Sequence, residues 1–295
     1  MSSWWICVLN WNGREDTLRC LRSLEGAGAA GVVVADNGST DGSAAAIRAA
    51  FPAVELVETG ANLGYSGGNN AAIRRALDRG ADWVVLLNND AELEPGALAA
   101  FAAAATADTG VLAGKLLFPD GRVQWAGHRL DLRSGYSGRP PGFGEPDGPQ
   151  YSVPGDVDRA VGALMAVSRA AIEAVGLLDD DLFAYVEDVD WCLRIRAAGV
   201  ACRFVPGARA RHALAGSSGG ETASTTVMYY GTRNTVVVCE RHKPLPRRGT
   251  VLRRLTIVGA FLARAVLVQR SPEAVRATLQ GYRDARAGRL GPRSG

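Results

Sequence analysis

Within the first 110 residues, short apolar runs of strand length alternate with Ala-rich stretches of helical spacing, and several runs end in an acid or an amide. The runs at 4–9, 31–35, 54–58 and 83–87 read as strands. Those at 31–35 and 83–87 are apolar throughout, as in strands covered on both faces. Between them, 15–24 places Leu18, Leu21 and Leu24 on one helical face, and 43–50, 69–79 and 95–106 also read as helices. Pro95 falls near a first turn, where its missing N–H costs little. This β-α-β-α order predicts an α/β domain with a mostly parallel central sheet and right-handed crossovers.

The rest of the chain is less regular. Residues 134–155 are rich in Gly, Pro and Ser, as in Gly138-Arg139-Pro140-Pro141-Gly142, and read as a flap. A strand is expected at 160–167, a short helix at 169–175, a helix at 187–198 closed by Gly199, and a strand at 200–205. Residues 250–288 read as one or two helices, and no internal repeat is visible.

Length and composition set bounds. A chain of 295 residues suffices for one large domain, or a core plus an appendage. Apolar residues at 47% and charged residues at 21% exclude a disordered chain. The five cysteines, Cys7, Cys20, Cys192, Cys202 and Cys239, are odd in number and form no C-x-x-C pair, which fits reduced thiols in a cytoplasmic protein. No signal peptide is read at the start, and the longest late apolar run, 255–268, is short for a membrane span and is broken by Arg264. The net charge of +3 conceals an acidic body of −8 over the first 240 residues and a basic tail of +11 beyond them.

Five segments carry chemistry. The run 32–35 ends in Asp36-Asn37-Gly38-Ser39-Thr40-Asp41, where ligands bind open α/β sheets. Asp36 can accept hydrogen bonds from a base or ribose, or simply order the turn while Asp41 or Ser43 caps a helix. Asn62-Leu63-Gly64-Tyr65-Ser66-Gly67-Gly68-Asn69-Asn70 offers close backbone approach ahead of a helix, or a plain turn. Asn88-Asn89-Asp90 supplies oxygen atoms at a strand end, and Asp90 is a candidate ligand for Mg²⁺ or Mn²⁺ or, alternatively, a turn residue. Glu187-Asp188-Val189-Asp190-Trp191 sets three carboxylates at a helix start, where the dipole favours their ionised forms. Asp190 and Arg194 are spaced to pair, which leaves Glu187 and Asp188 to project elsewhere. His212, followed by Gly216-Ser217-Ser218, is one of three histidines and is either a structural residue or a contact to a metal–diphosphate centre.

Taken in order, these segments resemble the inverting glycosyltransferases of family 2, and within them the bacterial rhamnosyltransferase-like subgroup. The match runs from about Ile6 to Asn234, through Leu9-Asn10-Trp11-Asn12-Gly13, the segments at Asp36, Asn62, Asn88 and Glu187, and Tyr230-Gly231-Thr232-Arg233-Asn234. The resemblance implies a GT-A (Rossmann-like) nucleotide-diphospho-sugar transferase fold. It implies a catalytic domain over 1–240, with a donor half to about 115 and an acceptor half after it, and a basic helical segment over 241–295. It implies that Asp36 meets the donor base, that Asn10, Asn37, Asn69, Asn88 and Asn89 line the donor site, and that Asp90, at the end of the D-x-D position, binds a divalent metal together with His212. It implies Asp188 as the catalytic base, with Glu187, Asp190, Trp191, Arg194 and Arg233 contacting the acceptor or supporting the site. Asn88 stands where the family pattern has its first acid, which removes one charge from the metal position.

The implied partners are a nucleotide-diphosphate sugar, best matched by dTDP-rhamnose, and a hydroxyl acceptor such as a glycan, a lipid-linked glycan or a natural product. No nucleic acid is expected. Arg253, Arg254 and Arg264 interleave with Leu255, Ile257, Phe261 and Val268. Such a helix packs on the body with a solvated basic face or a dimer contact, or lies on an anionic membrane at the inner face. A nucleotidyltransferase is the alternative enzyme class, poorly served by Leu9-Asn10-Trp11-Asn12-Gly13-Arg14 in place of a basic Gly-rich loop. A non-catalytic nucleotide-sugar-binding subunit is the alternative outside enzymes.

Overall fold

The computed structural model describes residues 2–135, 140–213 and 220–293. Part of the expected flap, 136–139, and the Gly216-Ser217-Ser218 segment lie outside the described residues.

The first half alternates as the sequence predicts: β1 (Trp4–Asn10), α1 (Arg14–Ser23), β2 (Gly31–Asp36), α2 (Ser43–Ala50), β3 (Glu55–Glu58), α3 (Gly64–Asp78) and β4 (Trp83–Asn88). There follow β5 (Ala91–Leu93), α4 (Ala97–Ala104), β6 (Thr109–Leu117), β7 (Val123–Trp125), β8 (Gly155–Asp156), β9 (Leu164–Ser168), α5 (Arg169–Val175), α6 (Glu187–Ala197) and β10 (Ala201–His212). Three helices close the described chain, α7 (Gly220–His242), α8 (Arg247–Ala263) and α9 (Pro272–Ala287), with a π-helical turn at Arg264–Gln269 after α8. The strands form one sheet along the path β3-β2-β1-β4-β9-β6-β10-β5, with β7 on β6 and β8 on β10. Strands β1 to β4 are parallel to one another, β6 and β10 are parallel, and β9 runs against both its neighbours. The parallel strands are apolar and sealed by helices, with Ile6, Cys7, Val8, Val33, Val34, Val84 and Leu86 fully buried.

Several elements depart from the expected reading. Helix α3 starts at Gly64, so the Gly-rich segment is its first turns rather than a loop before it. Its glycines admit neighbouring protein. A Cβ on Gly68 would stand 2.3 Å from Leu9, and one on Gly64, whose φ is +74°, would stand 2.3 Å from the carbonyl of Phe183. Strand β6 was not foreseen because Gly110, Gly114 and Lys115 interrupt its pattern, yet all nine residues are buried. A Cβ on Gly114 would meet Leu164 at 2.2 Å, and the fully buried Lys115 pairs with Asp147 and donates to Ser152 at 3.0 Å. That pair, with the bonds Val123 N to Glu145 O and Gly144 N to Val123 O, ties the described part of the 134–155 segment to β6 and β7.

Strand β10 continues past residue 205. A register shift between Val205 and Arg209 absorbs Pro206-Gly207, and the strand then runs on to His212, which pairs with Ala91 of β5. Helix α7 is rich in Thr and Val, which weakens any sequence signal for a helix; packing against α9 overrides propensity. A Cβ on Gly281 of α9 would stand 2.3 Å from the carbonyl of Tyr229, so the two helices meet at backbone distance.

Candidate active site

The carboxyl ends of β1, β2 and β4 lie side by side. Asn10 is in register with Asp36, and Leu9 with Asn88. Asn10 binds them together: its Nδ2 donates to Asp36 at 2.7 Å and Ser39 at 3.0 Å, while its Oδ1 accepts from Thr17 at 2.7 Å. Asn89 extends the chain, donating to Thr17 at 3.0 Å. Asp36, 3% exposed, also accepts from the amide of Ser39 at 3.0 Å. Asn37 and Asn69 turn into the fold. Asn37 fixes residues 59–64 through Thr59, Asn62, Leu63 and Gly64, and Asn69 donates to the carbonyl of Tyr65 at 2.9 Å.

Beyond β4, the extension of β10 places His212 against Asp90, with Nε2 3.0 Å from the carboxylate and 3.3 Å from the amide of Asn88. Gln124 of β7 holds the other ring nitrogen. Its Nε2 donates to the His212 carbonyl at 3.1 Å, which turns its Oε1 towards Nδ1 at 2.6 Å. Nδ1 therefore carries a proton, and Nε2 faces Asp90. A ring nitrogen and a carboxylate oxygen at this distance suit a shared cation. Neighbouring ligands of an octahedral ion with bonds of about 2.1 Å lie about 3 Å apart. Among the described residues no third His, Cys, Asp or Glu completes a cluster, so the other positions would fall to diphosphate oxygens and water.

Asp188 and Glu187 open α6, after a loop with three non-glycine residues in the left-handed region: Phe183 at φ 63°, Tyr185 at 66° and Val186 at 74°. This strained loop is held by two residues of α7. Asn234 donates to the carbonyls of Leu182 (2.8 Å), Ala184 (2.9 Å) and Tyr185 (2.7 Å). Arg233, fully buried, donates to Asp181, Leu182 and Gly291. Asp190 binds Arg194, Arg241 and His242 at 2.8 to 2.9 Å, Arg194 also ties down the carbonyls of Val175 and Leu177, and Trp191 is buried with its indole donating to Gly176. Asp190, Trp191, Arg194 and Arg233, expected as acceptor contacts or support, each bond to other groups of the protein.

Asp188 accepts from the amides of Val189 at 2.7 Å and Gly162 at 3.1 Å. The next carbonyl, of Ala163, accepts from Asn88 N, so consecutive residues link the α6 acids to the end of β4. Tyr65 is the shared neighbour. A Cβ on Gly162 would touch its hydroxyl, and its pKa is raised by burial and then by the charges of Glu187, Asp188 and Asp90. Asp36, Asp90 and Asp188 thus gather at one end of the sheet. Glu187 is 5% exposed, its Oε2 has no hydrogen-bond partner, and burial followed by the charge of Asp188 pushes its pKa up to about 8. Sequence reasoning did not single out Thr17, Tyr65, Gln124, Gly162 or Asn234 as functional residues. Asn234 stood in a quoted motif, whereas nothing in the sequence marks Gln124.

Residues 5–176 match the family model described as Glycosyl transferase family 2. The chain belongs to that family. Among relatives of this family 2 glycosyltransferase is the N-acetylglucosaminyl-diphospho-decaprenol L-rhamnosyltransferase of Mycobacterium tuberculosis, 32% identical over 81% of this chain and 83% of that protein. The dTDP-rhamnosyl transferase RfbF of Shigella flexneri is 23% identical over 65% of each. In fold, the family 2 chain is similar to the mannosyltransferase PcManGT of Pyrobaculum calidifontis, solved with GDP-Man and Mn²⁺, with a TM-score of 0.58 at 17% identity over 97% of this chain and 86% of that one. The fold is GT-A. The protein is a glycosyltransferase, and its relatives include rhamnosyltransferases. No helix among the described residues is long and apolar enough to cross a membrane.

Proposed function

We propose that this glycosyltransferase is metal-dependent and inverting, and moves L-rhamnose from dTDP-rhamnose to a hydroxyl of a lipid-linked glycan. The observation that carries the chemistry is the pairing of two oxygen-rich clusters about Tyr65: Asp90 with His212 on one side, Glu187 with Asp188 on the other. The first suits a diphosphate, the second an acceptor. The rhamnosyltransferase relatives support the sugar, and the decaprenol-linked substrate named for the M. tuberculosis protein supports the acceptor class.

In this reading Asp36, fixed by Asn10 and Ser39, receives the donor base. Asp90 and His212 would hold Mg²⁺ or Mn²⁺, which when bound stabilises charge building on the departing diphosphate. Asp188, oriented by the amides of Gly162 and Val189, takes the proton of the acceptor hydroxyl as its oxygen attacks the anomeric carbon opposite the leaving group. Configuration inverts through an oxocarbenium-like transition state. Glu187, holding its proton at neutral pH, adds no second charge beside Asp188 and can donate a hydrogen bond to a sugar hydroxyl.

The test is transfer with a panel of nucleotide sugars, with and without Mn²⁺, reading the anomeric configuration of the product. A product whose anomeric configuration is opposite to that of the donor supports inversion. Retention, or full turnover in chelator, overturns the mechanism. Thermal stabilisation by one nucleotide sugar above the others identifies the donor.

A further inference from the structure

Helix α8 and the π-helical turn after it leave two groups of apolar side chains in water. Of the eleven exposed large hydrophobic residues among the described residues, six lie here: Val251, Leu252, Leu255, Val266, Leu267 and Val268. Leu252, Leu267 and Val268 are 67%, 71% and 75% exposed. Val251, Leu252 and Leu255 follow helical spacing on one face, opposite the buried Arg253 and Ile257 that fix α8 to the body. Residues 266–268 then expose three apolar side chains in succession, where the π-helical turn widens the helix before Arg270 ends it at φ 51°. Runs of this kind on a folded surface mark a contact with something less polar than water.

Charge selects the occupant. No Asp or Glu occurs between Glu240 and Glu273. Within that stretch Arg241 pairs with Asp179 and Asp190, Arg253 is buried and Arg254 pairs with Glu240, which leaves Lys243, Arg247, Arg248, Arg264 and Arg270 exposed, with Arg264 between the two apolar groups. A second copy meeting this face across a twofold axis would set these cations against themselves. An anionic lipid surface satisfies both features: acyl chains accept the Leu and Val side chains, and phosphate groups accept the arginines.

We infer that α8 and the turn following it form a membrane-surface docking site, seated on anionic phospholipid, that holds the protein on the bilayer without crossing it. This inference does not rest on the sugar-transfer reading, and its test involves no turnover.

Sedimentation of the full chain with phosphatidylglycerol–phosphatidylcholine vesicles, compared with phosphatidylcholine alone, tests it. Binding is expected to the anionic vesicles, to weaken at high salt as screening shortens the reach of the arginines, and to fall about tenfold or more in Leu252→Glu/Leu267→Glu. Both substitutions fall on exposed positions, and an unchanged thermal melt shows that the variant is folded. The inference is overturned by absence of binding to anionic vesicles, by equal binding to both vesicle types, or by equal binding of the variant. A concentration-dependent dimer that the variant abolishes, with vesicles unbound, assigns the face to a second copy instead.

Discussion

The amide of Gln124 grips one edge of His212 at two points, with Oε1 2.6 Å from the ring Nδ1 and Nε2 3.1 Å from the backbone carbonyl. The ring can neither flip nor exchange tautomers without breaking a buried bond, so Nε2 stays aimed at Asp90.

Replacing Gln124 with Leu removes that grip while keeping similar volume. Binding of Mn²⁺ in the presence of a nucleoside diphosphate should weaken by about 10- to 100-fold, read by calorimetry or by the Mn²⁺ resonance signal. Unaltered affinity in a folded variant would show that His212 does not depend on Gln124, or does not bind the ion.

Glu187 should give the protein a distinctive pH response. The folded state holds its proton to about pH 8, whereas the ordinary value is 4.5. Between these limits the folded state binds more protons than the unfolded one, so this group makes stability fall as pH rises through the window, with no further loss above it. Glu187→Gln removes the slope. Its melting temperature relative to the parent should climb by a few degrees between about pH 5 and about pH 8. A constant difference between the two proteins would rule out a buried neutral acid.

Asp190 behaves in the opposite sense. Burial acts to raise its pKa, but hydrogen bonds from His242 and Arg194 and the charges of Arg194 and Arg241 hold it at about 2, below the ordinary 3.8. Its contribution to stability is complete above 3.8 and disappears as pH falls through about 2. Asp190→Asn strands these cationic partners and should cost about 3 kcal/mol or more, read as a lower denaturant midpoint at neutral pH.

Asp188→Asn keeps the shape of the side chain and removes its capacity to take a proton. The rate of transfer should drop by roughly 10²- to 10⁴-fold, with donor affinity nearly unchanged. A variant that keeps most of its rate would assign the proton to another group.

Asn234→Ala leaves three loop carbonyls without their shared donor. A destabilisation of about 2–3 kcal/mol is expected, together with a lower rate of transfer at little change in donor affinity, because residues 182–186 set the direction of α6. Normal kinetics would mean that the loop keeps its shape unaided.

The strands that end at Asn10, Asp36 and Asn88 are legible in the sequence because their signals are local. A parallel strand covered on both faces is a run of apolar residues, and the acid or amide at its end occupies the position where such sheets bind ligands. Asp36 and Asn88 are found in this way, and the acids at 187–190 by their crowding at a helix start. What escaped depends on distant partners. Gly64 and Gly68 suggested a ligand loop, yet they let α3 close on Phe183 and Leu9. Strand β6 hides behind a buried lysine whose partner, Asp147, lies 32 residues away. Gln124 looks like any polar residue of a strand until β10, bent at Pro206-Gly207, brings His212 to it. Asp190 and Arg194 were expected to pair from their spacing and do so, but Arg241 and His242, which complete that cluster, come from the far end of α7.

Gly291 donates to the carbonyl of Asp181 and accepts from Arg233, so the C-terminal segment closes on the loop ahead of Asp188. During synthesis on the ribosome, the loop ahead of Asp188 gains its last anchors only after residue 291 has cleared the exit tunnel. That loop is therefore the last part of the candidate site to be fixed, long after the strands that carry Asp36 and Asn88 have been made.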